Sequence, residues 1–272
     1  MQQPYFLNEA GNKKMKDGIM LWYAGKNPFI KTITGTDVTV HSTYNVEPVT
    51  QNYPSLNNAA IALQADPNTE VYVEGAITYM TNWSSETRIV CHNTALTQLN
   101  CVNCPSLTSL DLSKNTALTS INCNTCPVLT SLDLSENTAL ESLACNYCPA
   151  LTSLDLSKNT ELTSLDCGDC PSLTSLDLSK NTALTSLKCN YCPALTSLDL
   201  SKNTALTSLE CNNCNYIETI KYVAQNTGVA TKIAGLISEA FATDGNVYCN
   251  GTYSSTVQTA ATSKGWTYHT LE

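Results

Sequence analysis

Residues 107–128 read LTSLDLSKNTALTSINCNTCPV, and residues 129–150 read LTSLDLSENTALESLACNYCPA. The second stretch repeats the first with few changes, and the period is 22 residues. Leu96, Leu118, Leu140, Leu162, Leu184 and Leu206 keep it without an insertion. Self-similarity at a fixed period of this size predicts a solenoid, in which each repeat buries its apolar side against its neighbours. Each repeat divides into two halves of 11 residues, and both halves fit one template, L-x-x-L-x-L-x-x-N. The first half supplies Leu107, Leu110, Leu112 and Asn115, the second Leu118, Ile121, Cys123 and Cys126.

The L-x-L core of each half alternates as a strand must, with Leu inward and the intervening residue outward. The Asn position turns inward, where its side chain can satisfy backbone groups of the bend. In the second half a Cys replaces the third Leu and another replaces the Asn. A thiol at the Asn position can donate weakly to the same carbonyls. The expected fold is a mostly-β α/β solenoid of 22-residue turns, with two short strands per turn and α/β elements covering both ends.

The motif LTSLDLSKNTALTSLxC resembles bacterial leucine-rich repeats of the internalin type, the short-repeat variety with a cysteine ladder. The resemblance covers residues 96–222, roughly half the chain. The second Cys in place of Asn, and the prolines that follow it (Pro105, Pro127, Pro149, Pro171 and Pro193), depart from that pattern. The prolines should fix the bend after the second half. The resemblance implies a non-enzymatic binding or adhesion scaffold whose partner is a protein or a glycan.

Outward from the repeats, residues 1–50 read as a strand-rich attachment module, with IKTITGTDVTVHSTY (30–44) as a hairpin broken at Gly35. Residues 51–95 read as an N-terminal cap. In it a short helix begins at Ser55, carries Leu56, Ala60, Ile61 and Leu63 on its inner side, and ends at Asp66-Pro67-Asn68. VYVEGAITYM then alternates as strand, and TRIVCHNTAL is a degenerate half-repeat. Beyond the last copy Ile217, Ile220 and Tyr222 occupy Leu columns, and Lys221 replaces the strand Asp. Residues 223–272 read as an α/β cap. A helix there carries Val229, Ile233, Leu236, Ile237, Ala240 and Phe241 on one face, GNVYCNGTY is a strand, a second helix stops at Gly265, and WTYHTL is a final strand.

Composition narrows the function classes. The formal net charge is −9, with only 14 Lys and Arg in 272 residues, which argues against nucleic acid or an anionic membrane as partner. No apolar run is long enough to span a bilayer. MQQPYFLNEAGNKKMK shows no charged region followed by an apolar one, so no signal peptide is visible. A location on a cell envelope or on a virion is expected all the same. The second functional class is therefore a structural component of a larger assembly, such as a virion decoration or fibre, with subunits of that assembly as partners.

Of the 14 cysteines, 12 fall on ladder positions, which leaves Cys91 and Cys249 in the flanks. Buried free thiols are the expectation, with disulfides between turns and zinc as the alternatives. Asp111, Asp133, Asp155, Asp177 and Asp199 stack as a column. Calcium is one reading of it; a solvated face moderated by Lys114, Lys158, Lys180 and Lys202 is the preferred one. No catalytic set appears: His41, His92 and His269 are isolated in sequence, and no cofactor is implied. Asn82-Trp83-Ser84 and Asn250-Gly251-Thr252 match the glycosylation pattern by chance.

The Cys half is where the copies differ. Before the first Cys stand Asn100, Asn122, Ala144, Asp166, Lys188 and Glu210. Before the second stand Asn103, Thr125, Tyr147, Asp169, Tyr191 and Asn213. Variation on a copied scaffold marks a recognition face, with drift at solvent positions as the alternative. The expected partner-binding residues are Tyr147, Tyr191, Asp169, Asp166, Lys188, Glu210, Asn122 and Thr125. The two tyrosines lie two turns apart, roughly 10 Å at strand spacing.

Overall fold

The computed structural model describes residues 5–7, 13–15, 18–23, 29–44, 47–62, 70–81, 86–91, 94–240 and 242–271. They fall into two compact units, Met1–Asn137 and Thr138–Glu272.

In the first unit, strands β1 (Tyr5–Leu7) and β2 (Lys13–Met15) pair antiparallel. Then come β3 (Gly18–Tyr23), β4 (Phe29–Tyr44), β5 (Glu47–Ala62), β6 (Glu70–Thr81) and β7 (Glu86–Cys91). β3 lies between β6 and β7, antiparallel to both, while β4 runs antiparallel to β5 and β6. The repeat strands are β8 (Gln98–Asn100), β9 (Ser109–Asp111) and β10 (Ser120–Asn122). β8 continues β6 in parallel, with Leu99 opposite Met80, and β9 continues β7, with Leu110 opposite Ile89. β10 pairs with β8 at a step of 22, Ile121 opposite Leu99.

Two expectations for this unit are corrected. Residues 30–44 belong to a single strand, not a hairpin. Gly35 faces Leu56 on one side and Ile77 on the other, and the register of both pairings shifts beside it. β-branched alternation continues past the glycine, so it serves as a bulge within a paired strand instead of a turn. The helix expected from Ser55 is also strand: Ser55 lies opposite Thr36 and Ile61 opposite Ile30. Helix propensity is a weak prior, and the long neighbour β4 takes up the backbone groups that a helix would have paired internally. β5 also runs across the expected boundary at residue 50. Leu63 and Asp66–Asn68 lie outside the described residues, as do Asn82–Ser84 and His92.

In the second unit, β11 (Ser142–Ala144), β12 (Ser164–Asp166), β13 (Ser186–Lys188) and β15 (Ser208–Glu210) form a parallel ladder. Its register advances by 22 at each step: Leu143, Leu165, Leu187 and Leu209 lie side by side. A second parallel sheet runs β14 (Ser197–Leu200), β16 (Thr219–Val223), β17 (Asn246–Asn250) and β18 (Thr267–Thr270). Ile220 and Tyr222 continue the columns of Leu198 and Leu200, as expected.

Helix α1 (Thr227–Glu239) connects β16 to β17. It starts where the Asn226 side chain accepts from Val229 N at 3.1 Å, and it buries Val229, Ile233, Leu236 and Ile237. Phe241 lies outside the described residues. Helix α2 (Ser254–Lys264) connects β17 to β18 and stops at Gly265, φ 86°, where a Cβ would stand 2.9 Å from Thr243 O. The α/β character of the C-terminal cap thus follows from its sequence pattern.

The core is built from columns. Leu, Ile and Cys of the template are buried in every copy, as are Asn115, Asn137, Asn159, Asn181 and Asn203. Asn137, Asn181 and Asn203 each knit one turn to the turn before it. Asn181 Nδ2 donates to Leu156 O at 3.1 Å and Asn159 O at 2.8 Å; Asn203 Nδ2 donates to Leu178 O and Asn181 O at 3.1 and 2.8 Å. The second Cys does half of this work. Cys170, Cys192 and Cys214 donate to Cys145 O, Cys167 O and Cys189 O at 3.2, 3.3 and 2.9 Å, as Cys126 does to Cys101 O at 3.3 Å.

Candidate binding face

The Cys half carries a chain reversal between its two thiols. After strand β12, Cys167 points inward, Gly168 and Asp169 cross the edge, and Cys170 points inward again. Two inward residues three apart need an abrupt bend, and the backbone makes it with one residue in the left-handed region. That residue is the one before the second Cys in every copy: Asn103 (φ 59°), Thr125 (59°), Tyr147 (53°), Asp169 (54°), Tyr191 (54°) and Asn213 (60°). Asn and Asp tolerate this region, whereas a β-branched or bulky residue there is strained. Thr125, Tyr147 and Tyr191 therefore stand at some cost to stability.

The left-handed residues also hold the stack together. Tyr147 N donates to Gly168 O at 3.1 Å, Asp169 N to Asn190 O at 2.8 Å and Tyr191 N to Asn212 O at 2.9 Å. The turns are thus hydrogen-bonded at the bend itself, and its side chains project as a row. Tyr147 is 56% and Tyr191 51% exposed. With Asp169 and Asn213 they line an open groove of about 490 Å³ whose other walls are Pro149, Pro171, Pro193 and Asn215. Asp169 is the one charged residue among these eight.

Three of the residues expected at the partner face, Tyr147, Asp169 and Tyr191, meet in this groove. Asp166, Lys188 and Glu210 form the adjoining column, one strand position before each inward Cys, in direct register. Lys188 and Glu210 form an ion pair at 2.9 Å, which raises the lysine's pKa through the hydrogen bond and charge of Glu210. Asp166 accepts from Gly168 N at 3.3 Å and Asn146 Nδ2 at 3.2 Å. Asn122 and Thr125 belong to the first unit; Asn122 Oδ1 accepts from Asn124 N at 3.1 Å, and Thr125 is exposed.

Sequence reasoning missed two residues that set the groove. Gly168 stands in a column otherwise occupied by Val102, Asn124, Asn146, Asn190 and Asn212. A Cβ on it would lie 2.8 Å from Asn190 Oδ1, so its absence is what lets the Asn190 side chain settle there. From that place Asn190 Nδ2 reaches Asp169 Oδ2 at 3.4 Å and orients the carboxylate. The signal was present: Gly168 is the lone glycine between residues 96 and 222. Pro149, Pro171 and Pro193, expected only as bend residues, are also the groove's apolar walls.

Residues 103–120 and 169–186 each match the family model described as Leucine Rich repeat. These are leucine-rich repeats with a cysteine ladder. Among solved structures the chain is similar to one described as the functional domain of InlJ from Listeria monocytogenes, which includes a cysteine ladder. The identity is 26%, covering 68% of this chain and 42% of that one, with a TM-score of 0.40. The chain thus spans about two fifths of that structure's length. No curated protein matches the sequence.

The thiols of this leucine-rich-repeat ladder are buried. Burial raises the Cys170 and Cys211 pKa to about 12, and raises Cys167 as well. A neutral buried thiol is neither a nucleophile nor a ready metal ligand. Among the described residues, no group of three or more His, Cys, Asp and Glu is placed to hold a metal ion.

On the other half, each column Asp accepts from the backbone N–H two residues on. Asp111, Asp133, Asp155, Asp177 and Asp199 take Ser113, Ser135, Ser157, Ser179 and Ser201 at 2.9–3.1 Å. Hydrogen bonds from the Ser157 hydroxyl and backbone lower the Asp155 pKa, and those from Ser179 lower Asp177. The cap then ends the column in register. Lys221 pairs with Asp199 at 3.5 Å and lies 5.8 Å from the Tyr248 ring centroid, and Tyr248 stacks on His269 at 4.5 Å. His269 Nε2 also lies 3.1 Å from Asn246 Oδ1. The second glycosylation pattern holds Asn250, whose Nδ2 is engaged with Leu271 O at 2.9 Å.

Proposed function

We propose that this chain is a non-enzymatic binding or adhesion scaffold, exposed on a cell envelope or virion. It presents the Cys-half edge of its leucine-rich repeats to a protein or glycan partner. One observation carries the reading. Tyr147 and Tyr191 are exposed at backbone positions that Asn occupies with less strain, and Asn does occupy them at Asn103 and Asn213. Drift relaxes toward the comfortable residue; holding a strained, solvent-exposed aromatic fits selection for contact. Tyr is an efficient contact residue, with large area and a polar tip on a short side chain. Leucine-rich repeats are commonly protein-binding scaffolds, which accords with this use. The net charge of −9 and the few basic residues speak against nucleic acid.

The test is binding of the full chain to arrayed polypeptides and oligosaccharides, repeated with the Tyr147→Asn/Tyr191→Asn double variant. Saturable binding that drops at least tenfold in the variant is the expected result. Binding that survives unchanged would move the face elsewhere, first to the Asp column, then to residues 1–50.

A second reading is a structural component of a virion or similar assembly; fourteen buried cysteines suit folding in a reducing compartment.

A further inference from the structure

We propose that the Tyr147–Tyr191 groove takes an extended proline-rich peptide segment in the polyproline II conformation, with a basic residue directed at Asp169. The inference rests on the binding-face reading above and names its partner's chemistry.

Spacing comes first. Consecutive turns are hydrogen-bonded at the bend, Tyr147 to Gly168, Asp169 to Asn190 and Tyr191 to Asn212. The two tyrosines are therefore two strand steps apart, about 9.6 Å. A ligand lying along the row places equivalent groups over both rings only if its own repeat matches. Polyproline II advances ~3.1 Å per residue with three residues per turn, a repeat of about 9.3 Å. A β-strand repeats its outward side chains every ~6.8 Å. An α-helix has a pitch of ~5.4 Å, and its bulk does not suit a shallow groove. Residues i and i+3 of a polyproline II segment meet Tyr147 and Tyr191 in step.

Surface chemistry agrees. The groove is walled by the two rings and by Pro149, Pro171 and Pro193, flat apolar surfaces of the kind on which proline rings pack. Polyproline II makes no internal hydrogen bonds, so its carbonyls look for donors, and the tyrosine hydroxyls and the amide of Asn213 can supply them. Such a ligand is already extended and loses little entropy on docking, which lets a shallow site bind it. Charge then selects among proline-rich segments. Asp169 is the one charge in the groove, midway between the rings and held by Asn190. An Arg or Lys at i+1 or i+2 can reach it.

The experiment uses the full chain and fluorescein-labelled peptides, followed by anisotropy. The probes are four repeats of Pro-Pro-Arg, four of Pro-Pro-Ser and four of Gly-Gly-Arg, with a β-linked glucose hexamer measured by calorimetry. Pro-Pro-Arg should bind saturably, and Gly-Gly-Arg, equally charged but not pre-extended, at least tenfold more weakly. Tyr147→Asn/Tyr191→Asn should weaken Pro-Pro-Arg at least tenfold. Asp169→Asn, which suits the left-handed backbone, should weaken Pro-Pro-Arg at least threefold and leave Pro-Pro-Ser unchanged. Equal binding of Gly-Gly-Arg and Pro-Pro-Arg, or no saturable binding of Pro-Pro-Arg, overturns the proposal. If the hexamer binds, loses that binding in the tyrosine variant, and Pro-Pro-Arg does not bind, the binding face stands and its polyproline occupant is wrong. If some partner binds and the tyrosine variant does not affect it, both fall.

Discussion

The Cys-bearing and Asp-bearing halves of each repeat share one template but hold their turns together differently. In the Cys half Thr185 N meets Thr163 O at 2.9 Å, and strands form at every turn of the ladder. In the Asp half Thr174 N meets Thr152 O at 3.4 Å. Among the described residues, Asp-half strands form at β9 and β14, the two that pair with the non-repeat strands β7 and β16. Stacked carboxylates about 4.8 Å apart repel by about 1 kcal/mol per pair even in water, which opposes close pairing of that half. Where Lys221 takes the next place in the column, the pairing closes. The five Asp halves are nearly identical, differing at Glu136 and Glu161, while the Cys halves vary at their outward positions. A repeat can thus keep one loose, constant side and use a tight, strained side to carry variation.

The sharpest way to break that comparison is to remove a core leucine from each side. Leu165 is fully buried in the Cys half, whereas Leu154 is 7% exposed in the Asp half. Leu165→Ala should cost about 4 kcal/mol and Leu154→Ala about 2–3, because the looser side can collapse further around the cavity. Ser153→Ala, beside Leu154 but outward, should stay within about 0.5 kcal/mol. Urea denaturation measures all three; equal costs at the two leucines would mean that the halves pack alike.

Next in size is the ladder donor. Asn181→Ala removes two bonds to buried carbonyls, and Cys192→Ala removes one short thiol bond, to Cys167 O, and a longer one to Asn190 O at 3.6 Å. The expected losses are about 3 kcal/mol and about 1 kcal/mol, since each orphaned carbonyl bears its own desolvation cost. If the thiol proves as important as the amide, sulfur is a better knot than its weak donor strength implies.

The solenoid, its inward columns and the whole α/β C-terminal cap could be read from sequence, because each rests on local periodicity with capping residues at its ends. The N-terminal region could not. The stretch from Ser55 has a helix-like pattern, and its strand state is decided by β4, a partner that no local rule names. The groove was read in part. Tyr147, Tyr191 and Asp169 stood out by variation, but the left-handed backbone that strains them shows in sequence only indirectly, as Asn103 and Asn213 in their column. Gly168 acts through Asn190 of the next turn, a contact between copies that no single repeat displays.

pH separates the halves by sign. The Cys170 and Cys211 thiols, raised from 9.0 to about 12 by burial, favour the folded state fully below pH 9, and that contribution is lost as pH climbs from 9 toward 12. Each can contribute up to about 1.4 kcal/mol per pH unit across that window. Asp155 and Asp177 run the other way. Their lowered values stabilise the fold above pH 3.8, and this is lost as pH falls through the lowered values. These carboxylates are exposed, so the acid loss should be shallow and reduced by salt, unlike the alkaline one. Urea midpoints at pH 3, 7 and 10.5, in low and high salt, test the asymmetry. A steep, salt-insensitive acid loss would place the Asp column deeper in the fold's energetics than its exposure allows.

The smallest effect is a gain. At Tyr147 and Tyr191 the backbone sits at φ 53° and 54°, and the same column holds Asn at Asn103 and Asn213. The left-handed region costs an ordinary L-residue on the order of 1–2 kcal/mol, and Asn recovers part of that through its short polar side chain. Tyr147→Asn and Tyr191→Asn should therefore each stabilise the fold by roughly 0.5 kcal/mol, despite the loss of an aromatic ring. Half-exposed rings bury little apolar area, so the backbone term should win. Ser153→Ala, at a relaxed outward position, serves as the reference that should not gain. A rise in urea midpoint for both tyrosine variants, additive in the double, would mean that the tyrosines are kept against the preference of the fold. A fall would mean that the rings hold the bend by packing on Pro149 and Pro193, and the strained side of the repeat would then owe its residues to stability and not to recognition.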